Sequence, residues 1–416
     1  MSIRNPEPSM TSEESGEGVS RRGVDRRAVL RGAGLLGALT ASGGALAAPA
    51  LADPAQAAAP STLDPTDFTL TADYSEYTTR VEALLEQAGS AGVSEVMDTA
   101  NHDRTEARVL DDQVHGFRFA PSDENDPDVA PQGITTSRDS VGTAGNGRYD
   151  GRQVIAVSFY NNSPKGSRIN LIDWDANHPN SYRRILLVEP NGTAAEPSFE
   201  DVEIHVGGIA WYGDLLYVAD TGSGMRVFDM SRIVTTDTGG TKDQIGREGD
   251  TFYAHNYAYV LPQVGRIDSE VAGGTEKLVW STISLDRVSR SIVMTEYRCV
   301  DCDGDYPEGP TRAVRFPFAE GKHTFAGTTT ATEALDVPLH YLNGVASHNG
   351  RWWFNDSHNK TLHHWSGSGA MTSKPWVSWG ESLSYWEDAD GPDLLWCLKE
   401  EKGDRPVFAV KQGDYS

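Results

Sequence analysis

His205 and His340 each stand shortly before a short apolar segment, and those segments open with Gly207 and Asn343. Two further segments of the same character open with Gln132 and Glu381. Imidazole and carboxylate groups supply general acids and bases, while Gln and Asn amides supply paired donors and acceptors for a polar ligand. His205, His340 and Glu381 are therefore candidate catalytic residues, and Gln132, Asn343, His255 and Trp211 are candidate ligand-binding residues. The same groups would equally satisfy strand ends and hold water at the centre of a sheet assembly. Six histidines fall late, at His323, His340, His348, His358, His363 and His364. Adjacent residues of a strand face opposite sides, so His363 and His364 cannot line one pocket. His348 precedes an Asn349-Gly350 turn and is expected to face solvent.

A second constellation is acidic. Asp301, Asp303 and Asp305 alternate around Gly304, with Glu308 following. Oxygen ligands at alternate positions of a glycine-bearing loop suit Ca²⁺. The run lacks the glycine position and the twelfth-residue Glu of an EF-hand, and a solvated acidic turn is the competing reading. Cys299 and Cys302 flank Asp301 in a Cys-x-x-Cys pair, which reads as a local disulfide rather than a redox centre if the chain is exported, as the N-terminal leader described below implies. Zinc would need two further ligands, and only Cys397 remains. Cys397 alternates with Trp396 and Leu398 and is expected to be a buried free thiol. Seven tryptophans lie between Trp352 and Trp396; such rings stack on sugars, but sheet cores also use aromatics.

The chain has 416 residues, 60 acidic against 36 basic, and a formal charge of −24. Nucleic acid and anionic membranes are therefore disfavoured as partners. No Gly-x-Ser-x-Gly elbow, phosphate loop or dinucleotide fingerprint is present.

These residues need elements to position them. Residues 53–72 read as an Ala/Pro/Thr-rich linker, and 73–104 as a helical N-terminal segment. Within the latter, Tyr77, Val81, Leu84, Leu85 and Ala88 have helical spacing that Gly89 would end. From about residue 105 the pattern changes to short apolar strands punctuated by Gly, Asn and Asp. Gly207-Gly208-Ile209-Ala210, then Leu215-Leu216-Tyr217-Val218-Ala219-Asp220, then Val227-Phe228-Asp229 form the clearest unit. Further copies run through Gln132 to Trp174, Val279 to Phe316, Asn343 to Trp365 and Glu381 to Val410. Three- or four-stranded units cannot cover both faces alone, and radial stacking solves this. The segments resemble the blades of secreted β-propellers of the NHL/SGL-like kind. That resemblance implies an all-β β-propeller over 105–416, with five blades from five copies. Residues 233–278 and 317–338 have room for strands that would raise the count to six or seven. A two-sheet sandwich is the rival architecture, but it does not predict the recurring Gly-containing starts.

The first 52 residues read as a leader. Arg26-Arg27-Ala28-Val29-Leu30 precedes a Gly/Ala-rich apolar run ending in Ala-x-Ala triplets. This resembles a twin-arginine export signal and implies a protein that folds before crossing the membrane.

Sites in propellers gather at one mouth, where the inner strands begin. The expectation is an exported, monomeric propeller that recognises a polar extracellular ligand, foremost a saccharide, there. Hydrolysis of glycoside type is the favoured chemistry if it turns over. A non-catalytic lectin-like or protein-interaction propeller is the alternative, and a Ca²⁺-dependent lactonase or phosphoesterase is a third.

Overall fold

A computed structural model describes residues 57–162, 166–175, 181–274, 276–300 and 311–416. The leader, and with it the expected signal, lies outside these residues. Strands dominate, and among the described residues they assemble into five four-stranded antiparallel units. Their innermost strands are Val129–Thr136, Ile209–Tyr212, Trp280–Asp286, Leu342–His348 and Gly380–Trp386. Each is followed outward by hairpin-connected strands, as in Leu342–His348, Arg351–Asp356, Thr361–Trp365 and Thr372–Pro375 of the fourth unit.

The inner strands touch in cyclic order, the fifth against the first. An apolar cluster fills each of the five seams. Period-two alternation explains how one strand serves two seams. Trp352 packs toward the third unit and its neighbour Trp353 toward the fifth. Burying an indole removes 150–250 Å² from water, about 4–6 kcal/mol by area. Each seam also carries a hydrogen bond near the axis. Trp211 N donates to Thr135 Oγ1 at 3.1 Å, and Gly208 N to Ser281 O at 3.3 Å. Ser281 Oγ donates to Leu342 O at 3.3 Å, and Asn343 Nδ2 to Glu381 Oε1 at 2.7 Å. Ile134 N donates to Ser382 Oγ at 3.3 Å and closes the ring. The chain is a β-propeller, and its units are blades.

Residues 233–278 and 317–338 complete blades instead of adding any. They supply the outer strands Tyr259–Val271 of the second blade and Glu333–Val337 of the third. The outer strand of the fifth blade is Gln113–Arg118, from near the start of the described chain. N- and C-terminal strands in one blade lock the circle.

The expected linker is a correction. Ala57 bridges to Met371 beside the fourth blade, and Ser61–Thr62 pairs with the third blade's outer strand. Phe68–Asp73 then adds a six-residue strand to the second blade. Ser90–Ala91 pairs with Ile233–Val234, and His102–Asp103 with Ser181–Tyr182 of the first blade. Residues 57–118 therefore form a belt that meets every blade and covers edges otherwise open to pairing. The expected helix spans Thr78–Ala88, buries Val81 and Leu84, and ends at Gly89 with φ 90°. It begins later than its apolar pattern because Asp73 is still in the strand and accepts from Ser75 N at 2.7 Å. A further helix, Val93–Asp98, lies within the segment expected to be helical. No helix among the described residues is long and apolar enough to cross a membrane.

Candidate functional site at the mouth

Inner strands converge most tightly where they begin. A Cβ on Gly208 would lie 2.1 Å from Ile283 N, and one on Gly344 2.9 Å from the Ser382 backbone. The recurring glycine starts are thus a packing requirement: neighbouring strands leave no room for a side chain. The polar residues beside these glycines are carried around a narrow hub at the mouth.

Three of the expected site residues are paired there, two with each other and one with Glu400, which was not among them. Asn343 Nδ2 donates to Glu381 Oε1 at 2.7 Å and lies 2.9 Å from Ser357 Oγ, joining the fourth and fifth blades. Gln132 Nε2 donates to Glu400 Oε2 and to Pro131 O, joining the first blade to the fifth. Glu381, Gln132 and Glu400 are all buried. His205 stacks on Tyr160 with ring centroids 4.5 Å apart. His340 is half-buried, and its Nδ1 is enclosed without a hydrogen-bond partner among the described residues. Next to it, Tyr341 stacks on His358 at 4.4 Å.

Four left-handed non-glycine residues lie at the same level. Val206, Tyr341, Trp379 and Ser382 have φ of 43°, 58°, 57° and 54°. Each sits at or just before an inner strand. Non-glycine residues in this region cost on the order of 1–3 kcal/mol each and persist where the surroundings over-determine them; for β-branched Val206 the conformation is a true outlier.

A cleft of about 180 Å³ opens between the fifth and first blades on this face. Tyr160 and Trp379 supply aromatic surface, and Glu400, Lys402, Arg405 and Asn162 supply polar groups. Arg405 is fixed by its own bonds, Nε to Glu400 O at 3.1 Å and Nη1 to Asp126 O at 3.0 Å. Burial pulls its guanidinium below the usual value, against the pull of Glu124 and Glu400. Trp379, Tyr160 and Arg405 were missed from sequence. Trp379 and Tyr160 sit among aromatics that read as blade core, and the left-handed φ of Trp379 has no sequence signature.

Two expected ligand-binding residues lie elsewhere. Trp211 is fully buried in the seam of the first and second blades, 4.7 Å from the Tyr149 ring. It is a core residue because its strand position faces a neighbouring blade. His255 lies on the insertion before the second blade's outer strand, with Nε2 2.9 Å from Asp201 Oδ2 and Nδ1 2.7 Å from Lys242 O. Those bonds hold a peripheral turn. His348 is not solvent-facing: it stacks flat on Tyr385 at 4.1 Å.

Asp301, Asp303, Asp305, Glu308 and Cys302 lie outside the described residues. Cys299 is disulfide-bonded. At the flanks of this segment, Glu296 is fully buried and accepts from Arg298 at 3.0 Å and Arg312 at 2.6 Å. Among the described residues no three His, Cys, Asp or Glu side chains converge as a metal site. Cys397 is a buried free thiol, and burial pushes it up to about 12.

No family model and no curated protein matches this chain. Among solved structures, it is similar to the β-propeller domain of Cps50 (Swd1) from Myceliophteria thermophila, with 9% identity and a TM-score of 0.34 over 74% of this chain and 99% of that one. A catalytically inactive virginiamycin B lyase from Staphylococcus aureus, crystallised with quinupristin, gives 12% identity and a TM-score of 0.30 over 75% and 80%. A GH43_1 enzyme from Xanthomonas citri gives 9% and 0.29 over 80% and 92%. The architecture is assigned from the closed ring of sheets itself.

Proposed function

We propose that this chain is an exported propeller that binds a neutral saccharide at the mouth, in the cleft between the fifth and first blades. The observation that carries this reading is the presence of two aromatic side chains, Tyr160 and Trp379, at one cleft with Glu400, which accepts from the buried Gln132 behind it. Ring faces stack on the C–H surface of a sugar, and a carboxylate oxygen accepts from its hydroxyls. The strained backbone of Trp379 supports it, since such strain gathers at binding and catalytic positions. The acidic net charge of the chain favours a neutral ligand over a polyuronate. Export rests on the Arg26-Arg27 leader. Glu381, His205 and His340 on the same mouth are the acid–base groups that a hydrolytic activity would use.

Affinity electrophoresis of the mature protein through gels containing neutral polysaccharides tests the binding. Retardation by at least one glycan, lost in Tyr160→Ala, is expected. Equal mobility in every gel removes the reading. Incubation of the retarding glycan with wild type and Glu381→Gln, followed by reducing-end assay, separates a hydrolase from a lectin-like propeller.

A further inference from the structure

On the opposite face, where the inner strands end, the fifth and first blades enclose a second cavity of about 300 Å³. Arg138, just past the first inner strand, lines it and is 4% exposed. Its Nε and Nη1 have no hydrogen-bond partner among the described residues. Three other deeply buried arginines are matched to carboxylates, Arg168 to Asp123, Arg298 to Glu296 and Arg315 to Asp286, and Arg405 donates to the backbone carbonyls of Glu400 and Asp126. Arg138 differs from these four in having two enclosed guanidinium nitrogens with no acceptor of any kind among the described residues, a costly arrangement for a buried charge.

Its surroundings are equally specific. Trp386 lies under the guanidinium, 5.1 Å from Cζ to the ring centre. Trp396 and Trp174 meet edge to face at 5.1 Å, and His115 stacks on Trp396 at 5.9 Å. The indole N–H groups of Trp386 and Trp396 are also enclosed and unpartnered. Gly147 packs on the guanidinium, where a Cβ would come within 2.6 Å of Arg138 Nε. Burial and the nearby Arg104 hold His115 below its ordinary range, with Asp388 opposing, so it is neutral at neutral pH. The lining thus combines three side chains with unmet donors, aromatic walls, and acceptors at the rim from half-buried Asp388 and exposed Asp390.

We propose that this cavity binds a small monocarboxylate built on one six-membered ring, with the carboxylate on Arg138 and the ring among the indoles. A bound carboxylate would offset the desolvated charge of Arg138 and accept from the unpaired N–H groups. The rim carboxylates disfavour a second negative charge and accept from hydroxyl or ammonium groups on the ring. Two sources share this chemistry: a hexuronic acid and an aromatic amino acid.

Tryptophan fluorescence of the mature protein, titrated with sodium glucuronate and separately with L-phenylalanine, tests the site and tells the sources apart. One acid is expected to give a saturable change, with glucose and methyl glucuronate, or phenylalanine methyl ester, giving none. Arg138→Gln is expected to raise the half-saturation at least ten-fold, about the loss of one charge-assisted hydrogen bond. Absence of saturation with both acids overturns the proposal. So does binding of the ester as tight as the acid, a comparison that needs no variant. An unchanged titration in Arg138→Gln overturns it too.

Discussion

Gln132 and Glu400 are 268 residues apart in the chain and hydrogen-bonded to each other at the mouth. The bond crosses the seam where the wheel closes, between the first blade and a fifth blade made of C-terminal strands and one N-terminal strand. Both residues are buried, Gln132 at 3% and Glu400 at 8% exposure. Replacing Glu400 with Ala leaves an amide N–H enclosed with one acceptor fewer. A loss of about 1–3 kcal/mol is expected, seen as a lower midpoint in urea unfolding with an unchanged slope. Saccharide retardation should fall with it. A variant as stable as wild type would show that the pair contributes nothing to ring closure.

Trp379 allows binding and stability to be pulled apart. Its left-handed backbone costs on the order of 1–3 kcal/mol, which Gly does not incur. Its half-buried ring contributes a comparable amount by burial. Trp379→Gly is therefore expected to unfold within about 1 kcal/mol of wild type. Its glycan retardation should nonetheless be lost. A large destabilisation would instead mark Trp379 as a core residue.

The blades were legible because their cause is local: glycines stand where inner strands approach too closely for a Cβ, and apolar residues alternate where a strand faces two seams. Asn343 and Glu381 were placed together on that logic, and they are bonded. The belt was not legible. Ser61–Thr62, Ser90–Ala91 and His102–Asp103 are two-residue strands, too short to carry a period. Trp211 and Trp379 show the limit for side chains. Both precede or occupy inner strands, yet backbone φ and blade facing decide that one is core and the other lines a cleft. The orphaned Arg138 was invisible for a different reason, since which arginines find carboxylates is settled only by tertiary structure.

Phe68 and Leu70 tie the belt to the seam between the second and third blades, and Leu70 is fully buried. Leu70→Ala is expected to cost about 2–5 kcal/mol, the range for emptying a buried leucine site. A chain starting at residue 74 should lose that and more, because the edge Arg266–Val271 would be uncovered. Light scattering should then show self-association through the open edge. A monodisperse truncated protein with wild-type thermal midpoint would show that the belt is ornamental to the wheel.

Asp139 lies fully inside the hub at the end of the first inner strand. It accepts from Ser384 Oγ at 2.7 Å, Thr135 Oγ1 at 2.8 Å and Thr136 N at 3.1 Å. Burial pushes its carboxyl up to about 6, and those bonds, with the charge of Arg287, only partly oppose the shift. The folded value lies above the unfolded one, so the native state holds the proton more tightly. The stability this contributes is present in full below about pH 4 and is lost as pH rises through about 6. The shift corresponds to about 3 kcal/mol. Asp139→Asn does not titrate, so the stability of wild type relative to the variant should fall by about that amount between pH 4 and pH 6.5 and stay level above. Urea unfolding of both proteins across that interval measures the difference directly. Because every other carboxylate is common to the two chains, parallel stability curves would mean that Asp139 titrates in the folded protein as it does in the unfolded chain.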